Sequence, residues 1–290
     1  MSETLKKNTF SPINRAHAIL EVVFYIQFAP DFAVSAIRKL MEIEHELKED
    51  LPKISPINKI ETTLETGQDG PRGQFSEKPV GIELQRIGPD GSIKWMLRTT
   101  ENIIAVHCLD YSTWGAVWEC ARKYFYKSFK RIDGESNFVN SVGLKYIDRF
   151  LYDGTKEEYD PSLLLNKNTD LIFKKVFSAT PTPLWHCHSG WFDESFDVVK
   201  GNLLNQLNVD SSYVNISGQK RYVTTIDHNA VVQIDGQDNG QLRSITEEAE
   251  GKNSCLDQLM DKLHNVNKKV LLNLLNEQMA TKINLGTPAE

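Results

Sequence analysis

The chain has 290 residues, of which 40% are hydrophobic and 25% are charged, and its formal net charge is −6. A chain of this length buries enough surface to fold without disulfide or metal support. The acidic balance argues against a general nucleic-acid-binding protein, which would need a clustered basic face. No apolar run approaches the length of about 18 residues that indicates a membrane span, so no membrane partner is expected.

The N-terminal sequence and the cysteines together indicate a compartment. Residues 1–7 are polar, and no apolar run long enough for a signal peptide follows them. The cysteines never form a Cys-x-x-Cys pair, so reduced thiols are expected in the absence of a secretion signal. The four positions are Cys108, Cys120, Cys187 and Cys255. These observations predict a cytoplasmic protein.

The first half of the chain, residues 1–152, predicts the order β-α-β-β-β-α-β. The five strands of this order are expected at residues 18–28, 80–87, 92–98, 102–109 and 143–152, and the helices at residues 32–51 and 113–133. A further short strand is expected at residues 57–64. The sequence Gly-Pro-Asp-Gly at residues 88–91 predicts a tight turn, because proline fixes φ and glycine supplies a positive φ. The glycines and prolines between Gly67 and Pro79 predict a mobile loop.

The second half, residues 161–290, follows a polar linker at residues 153–161. Strands are expected at residues 170–180, 184–192, 195–207 and 221–235, and a long amphipathic helix from Ser254 to near Gly286. Runs of antiparallel strands followed by helices predict an α+β fold. The two halves share one plan. The prediction is therefore two similar antiparallel sheet-plus-long-helix units, residues 1–152 and 161–290, or one continuous curved sheet.

The central stretch Gly143–Tyr152 alternates apolar and polar residues and contains the first candidate binding residues. In a strand, successive side chains point to opposite faces. Tyr146 and Asp148 would therefore share one face, and Lys145 and Arg149 the other. Only one of these two sets can line a ligand or partner site. The alternative interpretation is a structural network that holds the sheet to a helix.

The sequence His186-Cys187-His188 is the candidate metal site. On a strand the two imidazoles lie on one face, about 7 Å apart, and could begin a zinc site that needs further ligands. The available supplements are Asp193, Glu194, Asp227 and His228. The alternative interpretation is two surface histidines beside Trp185 and Trp191, and no other cofactor is predicted. The pair Asp227-His228 lacks a Gly-x-Ser-x-Gly elbow, so no serine hydrolase is predicted.

Three segments occur together in an order that resembles a known family. They are the strand Ala18–Pro30, the central Gly-Leu-Lys-Tyr-Ile-Asp-Arg strand at residues 143–149 and the helix Leu256–Leu271. This combination resembles a sporadically distributed bacterial protein family of unknown function. Lys145 stands where the family pattern favours Arg, and Asp148 where it favours Asn. The resemblance implies no established reaction, and the scattered occurrence of the family implies a role in conflict with phages or mobile elements.

The sequence as a whole predicts a non-catalytic binding or inhibitory protein that acts on a macromolecular partner. A protein is the expected partner. A basic helix (Arg122, Lys123, Lys127, Lys130, Arg131) keeps nucleic acid as an alternative partner. The 3-4 spacing of the last helix is typical of a homodimer surface or of a helix that covers its own sheet. The alternative functions are a metal-dependent hydrolase or nuclease that uses His186 and His188, and a small-ligand sensor.

Overall fold

The computed structural model describes residues 9–14, 16–67, 70–132, 137–178, 182–193, 198–216, 218–234 and 254–286. Strands and a few helices in these ranges form a mixed structure with one large, open, antiparallel sheet, which confirms the predicted α+β class. The first five strands are β1 Phe10–Pro12, β2 Ile19–Ala29, β3 Lys53–Gly67, β4 Gly70–Ile87 and β5 Ile93–Thr99. The others are β6 Ile103–Cys108, β7 Phe138–Tyr152, β8 Trp185–Asp193, β9 Gly201–Ile216 and β10 Gln219–Ile234.

The strand order along the sheet is β3-β4-β5-β6-β2-β7-β10-β9-β8, and β1 pairs with the end of β7 beside this path. Strands that follow each other in the chain pair as antiparallel hairpins in β3–β4–β5–β6 and in β8–β9–β10. The order leaves β3 and β8 as the two terminal strands. The predicted tight turn between β4 and β5 is confirmed, since Gly91 has a φ of 77°.

Five α-helices lie in the described ranges: α1 Val34–Met41, α2 Glu44–Leu47, α3 Trp114–Ile132, α4 Cys255–Leu274 and α5 Glu277–Lys282. The predicted helix over residues 32–51 is therefore two short helices. The long C-terminal helix that was predicted to continue to Gly286 ends at Leu274. It ends there because Asn276 leaves the helical conformation and its side chain accepts a hydrogen bond from the backbone of Met279, which starts α5.

The chain forms two compact units. The first unit comprises residues 1–23, 142–235 and 255–290. Its core contains Phe10, Phe150, Tyr152, Leu207, Val209, Ile226, Leu271 and Leu274, all buried. Helix α4 packs against β10 in this unit, and it buries the apolar positions whose spacing predicted an amphipathic helix.

The second unit comprises residues 24–141 and 236–254. Its core is aromatic: the ring of Phe24 lies 5.8 Å from that of Trp114 and 5.5 Å from that of Trp118. Phe28 and Phe129 meet edge to face at 6.3 Å. These contacts attach α3 to the sheet through the aromatic face that its sequence predicted. The predicted division of the chain into residues 1–152 and 161–290 stays a prediction.

Two further segments also differ from their predicted structure. Most of the predicted loop between Gly67 and Pro79 belongs to β3 and β4, which pair up to Gly67 and Gly70; residues 68 and 69 lie outside the described residues. The hairpin ladder satisfies the backbone groups of this segment despite its glycines and prolines. The predicted strand at residues 170–180 is wrong. The described part of this segment contains the 3-10 helix Lys174–Phe177 instead, and residues 179 and 180 are outside the described ranges.

Candidate functional site

Strand β7 separates the four candidate residues of the central stretch into two pairs. Its even-numbered residues from Leu144 to Tyr152 are buried, and the odd-numbered residues between them are half-exposed. Tyr146 and Asp148 therefore lie on the face that α4 covers. Lys145 and Arg149 lie on the opposite face, called the open face below. The structure thus places Lys145 and Arg149 on one face and the other pair in the interior.

The open face holds a row of side chains that crosses four adjacent strands. His188 on β8 is opposite Asn208 on β9, and Asn208 is opposite Asp227 on β10. Lys145 on β7 completes the row, since its Nζ lies 2.8 Å from Oδ2 of Asp227. Adjacent strands lie about 4.8 Å apart, so the row spans about 14 Å. Lys145 and His188, at the two ends of the row, are candidate site residues predicted from the sequence. Asn208 and Asp227, which lie between them, were not predicted to bind a partner.

A second row runs beside the first on the same face. His186 on β8 is opposite Asp210 on β9, which is opposite Thr225 on β10. Nε of Arg149 donates to Oγ1 of Thr225 at 3.3 Å. The remaining two sequence-predicted residues, His186 and Arg149, thus occupy the two ends of this row. Alternation along a strand determines the face on which each residue lies. The order and register of the strands determine which residues of neighbouring strands lie side by side in a row.

The first row forms the floor of an open groove with a volume of about 500 Å³. The groove is lined by Lys145, His188, Ser189, Gly190, Phe192, Leu204, Gln206, Asn208, Asp227 and Asn229. Beyond the first row, Nδ2 of Asn229 donates to Oε1 of Gln206 at 3.0 Å. Ammonium, amide, imidazole and carboxylate groups therefore offer both donors and acceptors along the groove.

Asp227 is the unusual member of the first row. Its Oδ2 pairs with Lys145, whereas its Oδ1 is buried and, within the described part of the chain, has no hydrogen-bond partner. A buried acceptor without a donor costs about 1–3 kcal/mol.

The covered face holds the other two candidate residues of β7. The hydroxyl of Tyr146 lies 2.8 Å from Nδ1 of His264 on α4. Burial raises the pKa of Asp148 to about 7. Burial, and secondarily the nearby charge of Lys268, lower the pKa of His264 to about 4. The contact between Tyr146 and His264 agrees with the structural interpretation of Tyr146, in which this residue attaches the sheet to a helix.

His228 is at the centre of a buried polar network on the covered face. Its Nε2 lies 3.1 Å from Oδ1 of Asn205, and Nδ2 of Asn267 on α4 lies 3.1 Å from its Nδ1. The ring of Trp191 stacks on the imidazole, and the two ring centroids are 6.4 Å apart. Burial lowers the pKa of His228 to about 4, so the ring is neutral near pH 7. Both ring nitrogens are engaged, so His228 is not a supplementary ligand for a metal at β8.

The candidate metal-binding pair lies on the open face, as alternation predicted. The ring centroids of His186 and His188 are 5.4 Å apart, and Nε2 of His188 lies 3.3 Å from Oδ1 of Asp210. Among the residues that the structure describes, no group of three or more His, Cys, Asp or Glu side chains is placed to hold a metal ion. Of the proposed supplements, Glu194 lies outside the described residues, and Asp193 accepts a hydrogen bond from Asn205.

The basic helix α3 directs several of its cations to acidic partners within the second unit. Arg131 pairs with Glu42 at 3.0 Å and with Glu46 at 2.6 Å. Lys123 pairs with Asp50, and Nζ of Lys127 donates to the backbone carbonyl of Glu46 at 2.8 Å. The ion pairs of Arg131 and Lys123 neutralise part of the positive charge that made nucleic acid an alternative partner.

Comparisons with known proteins give no family assignment. No protein-family model matches the chain, and no curated protein matches it. In the described ranges, no helix is both long and apolar enough to cross a membrane. The geometry of the open face is therefore the basis for inferring a function.

Proposed function

We propose that this protein is a non-catalytic binding protein and that a segment of a protein partner lies in the groove on the open face of β7–β10. The observation that supports this proposal most directly is the first row, His188–Asn208–Asp227–Lys145, which lies along the floor of the groove. A polypeptide supplies both hydrogen-bond donors and acceptors along its length, as the groove does.

The charges on the open face favour a protein partner over a nucleic acid. Asp210 and Asp227 lie in the middle of the two rows, and Lys145 and Arg149 lie at one end. A backbone of phosphates needs a surface with a clear positive excess. A segment of polypeptide that presents backbone and amide groups to the rows fits the same surface without requiring a positive excess. The open, polar lining also suits an extended segment better than an enclosed small ligand.

The lining of the groove supports binding rather than covalent catalysis. Among the described residues that line it, Ser189 alone carries a hydroxyl, and this hydroxyl donates to the backbone carbonyl of Leu171 at 3.3 Å. A nucleophile needs a base within hydrogen-bond reach. The serine is engaged elsewhere, which is the arrangement expected of a binding surface. An inhibitory role in conflict between bacteria and phages or mobile elements, which the family resemblance implies, remains part of this proposal.

The test is affinity capture with three forms of the full-length chain. Asn208→Arg places a long side chain in the middle of the first row and blocks the groove. Tyr213→Arg on the same strand is the matched control, since Tyr213 is 50% exposed and does not line the groove. Each form is immobilised, incubated with lysate of the source cells, and analysed by quantitative mass spectrometry and nucleic-acid staining.

We expect a protein that the native chain and Tyr213→Arg retain equally and that Asn208→Arg retains at least tenfold less. Retention by all three forms would place the partner on a different surface. Capture of nucleic acid by the native chain, with loss in Asn208→Arg, would replace the protein partner by a nucleic acid. Circular dichroism and the thermal midpoint confirm that Asn208→Arg is folded before the comparison is made.

A further inference from the structure

In the described residues, strand β8 ends the sheet and pairs on one side only. All nine residues of Trp185–Asp193 are in register with β9, from Trp185 opposite Ser211 to Asp193 opposite Leu203. Within the described part of the chain, β9 is the only strand with which β8 pairs. The outer side of a terminal strand presents backbone N–H and C=O groups that can accept a further strand.

The two terminal strands of the sheet differ in how they are protected. β3 carries Lys53, Pro56, Lys59 and Glu61, which are the residue types that prevent one edge from pairing with another. β8 has the sequence Trp-His-Cys-His-Ser-Gly-Trp-Phe-Asp, with no lysine, arginine or proline. Its single acidic residue, Asp193, is at its end and accepts a hydrogen bond from Asn205. The edge of β8 therefore lacks the features that discourage pairing.

The side chains of β8 are also incompletely buried on both faces. On the open face His186 and His188 are exposed, and Phe192 is 58% exposed. On the covered face Trp185 and Trp191 are only half-buried at the rim of the core. A strand added at this edge would cover the rim of both faces. An exposed aromatic side chain beside an open edge is the usual composition of a surface that becomes buried on association.

We propose that β8 pairs antiparallel with β8 of a second copy of this chain, with Ser189 on the two-fold axis. In an antiparallel pair, residues directly opposite each other lie on the same face. Centring on Ser189 keeps every face consistent and pairs all nine residues with nine. Any other centre leaves part of the strand unpaired, and a one-residue slip moves side chains to the wrong face.

The resulting cross-strand pairs are chemically compatible, and this favours a second copy over an unrelated peptide. His186 lies opposite Phe192 of the other copy, and Cys187 lies opposite Trp191, which gives a sulfur–aromatic contact. Trp185 lies opposite Asp193, so no two like charges are in direct opposition. Each pair occurs twice because the interface is isologous.

The pairing also extends the open face. His188 and Gly190 line the groove on its β8 side, and in the dimer each lies opposite the other across the axis. The grooves of the two copies would then adjoin and form one longer surface. The dimer is inferred from the edge itself, so it does not depend on the partner proposed for the groove.

The experiment uses two charge variants that the proposed register distinguishes. His186→Lys with Phe192→Lys places two lysines directly opposite each other, twice per dimer. His186→Lys with Phe192→Glu places a lysine opposite a glutamate at the same positions. The control introduces two lysines at exposed apolar positions of the other terminal strand, as Ile54→Lys with Ile60→Lys.

Mass is measured by light scattering after size-exclusion chromatography and by sedimentation equilibrium over a range of concentrations. We expect the native chain, the control and the Lys/Glu variant to have twice the chain mass of 33.0 kDa, and the Lys/Lys variant to have the chain mass. A monomeric native chain would overturn the proposal. A dimer that both charge variants leave intact, or that both dissociate, would also overturn it, because neither result fits the register centred on Ser189.

Discussion

Lys145 and Asp227 meet on the open face of the sheet with Nζ 2.8 Å from Oδ2, while the residues that follow them, Tyr146 and His228, both lie on the covered face. One pair of adjacent strands, β7 and β10, thus supplies the groove on one side and the contacts to α4 on the other. A substitution on the open face therefore changes the groove, whereas a substitution at the next residue changes the face that α4 covers.

The ion pair between Lys145 and Asp227 is expected to contribute modestly to stability. Its side chains are 32% and 22% exposed, so water screens part of the attraction. A double-mutant cycle with Lys145→Ala and Asp227→Ala should give a coupling free energy of about 0.5–1 kcal/mol. The cycle is measured by urea denaturation at low and high salt, and salt should reduce the coupling. Lys78 and Glu61, 52% and 43% exposed, form the control pair and should couple less. Equal coupling free energies in the two pairs would contradict the prediction that the less exposed pair couples more strongly.

Asp148 should make the stability of the protein depend on pH between about 4 and 7. Burial raises its pKa to about 7 in the folded chain, against about 3.9 when unfolded. The folded state therefore binds more protons in this window, so the free energy of unfolding falls as pH rises through it. Above pH 7 the charged carboxylate destabilises the fold by about 4 kcal/mol. Asp148→Asn should remove this loss.

The measurement is urea denaturation of the native chain and Asp148→Asn from pH 4 to pH 8. The two proteins should have similar stability at pH 4, and the variant should be the more stable at pH 8. Tyr146→Phe, on the same face of β7, serves as the control because it removes a hydroxyl but no carboxyl group. Parallel pH curves for Asp148→Asn and the native chain would show that Asp148 does not titrate in this window.

The sequence predicted the parts of the site that depend on alternation within one strand. It separated Lys145 and Arg149 from Tyr146 and Asp148, and it placed His186 and His188 on one face. It did not determine which pair of β7 is buried, because that depends on the face against which α4 packs. The first row, through Asn208 and Asp227, and the second row, through Asp210 and Thr225, were not predicted either. They require the order β7-β10-β9-β8, which arises from long-range pairing that no local pattern specifies.

The network around His228 is predicted to be a large contributor to the stability of the first unit. Asn267→Ala removes the amide that lies against Nδ1 and leaves this buried nitrogen without a partner. The expected loss is about 1–3 kcal/mol in the free energy of unfolding. Asn273→Ala, farther along α4 and also hydrogen-bonded, is a control for the loss of an amide from this helix. Asn273 is outside the buried set of α4, so its substitution should cost less.

The same histidine should weaken the fold in acid. Burial lowers the pKa of His228 to about 4 in the folded chain, below its value of about 6.5 in the unfolded chain. The unfolded state then binds more protons between these values, so stability is present above pH 6.5 and is lost as pH falls towards 4. His228→Gln should reduce this loss of unfolding free energy at low pH, whereas His186→Gln, at an exposed position, should not. If His228→Gln loses as much stability as the native chain between pH 6.5 and pH 4, other groups cause the loss, and His264 is the first of these to test.

Gly81 on β4 is predicted to be irreplaceable for a steric reason. A Cβ atom at this position would lie 1.9 Å from the backbone oxygen of Thr99 on β5, far inside contact distance. Gly81→Ala must therefore separate the two strands, at a cost of about 2 kcal/mol or more. Gly115 on α3 is the matched control, since a Cβ there meets nothing within 4 Å. Gly115→Ala should stabilise the chain by about 0.5 kcal/mol, because alanine favours the helix. Urea denaturation of the two variants should give shifts of opposite sign, and shifts of the same sign would show that the β4–β5 contact is looser than this geometry requires.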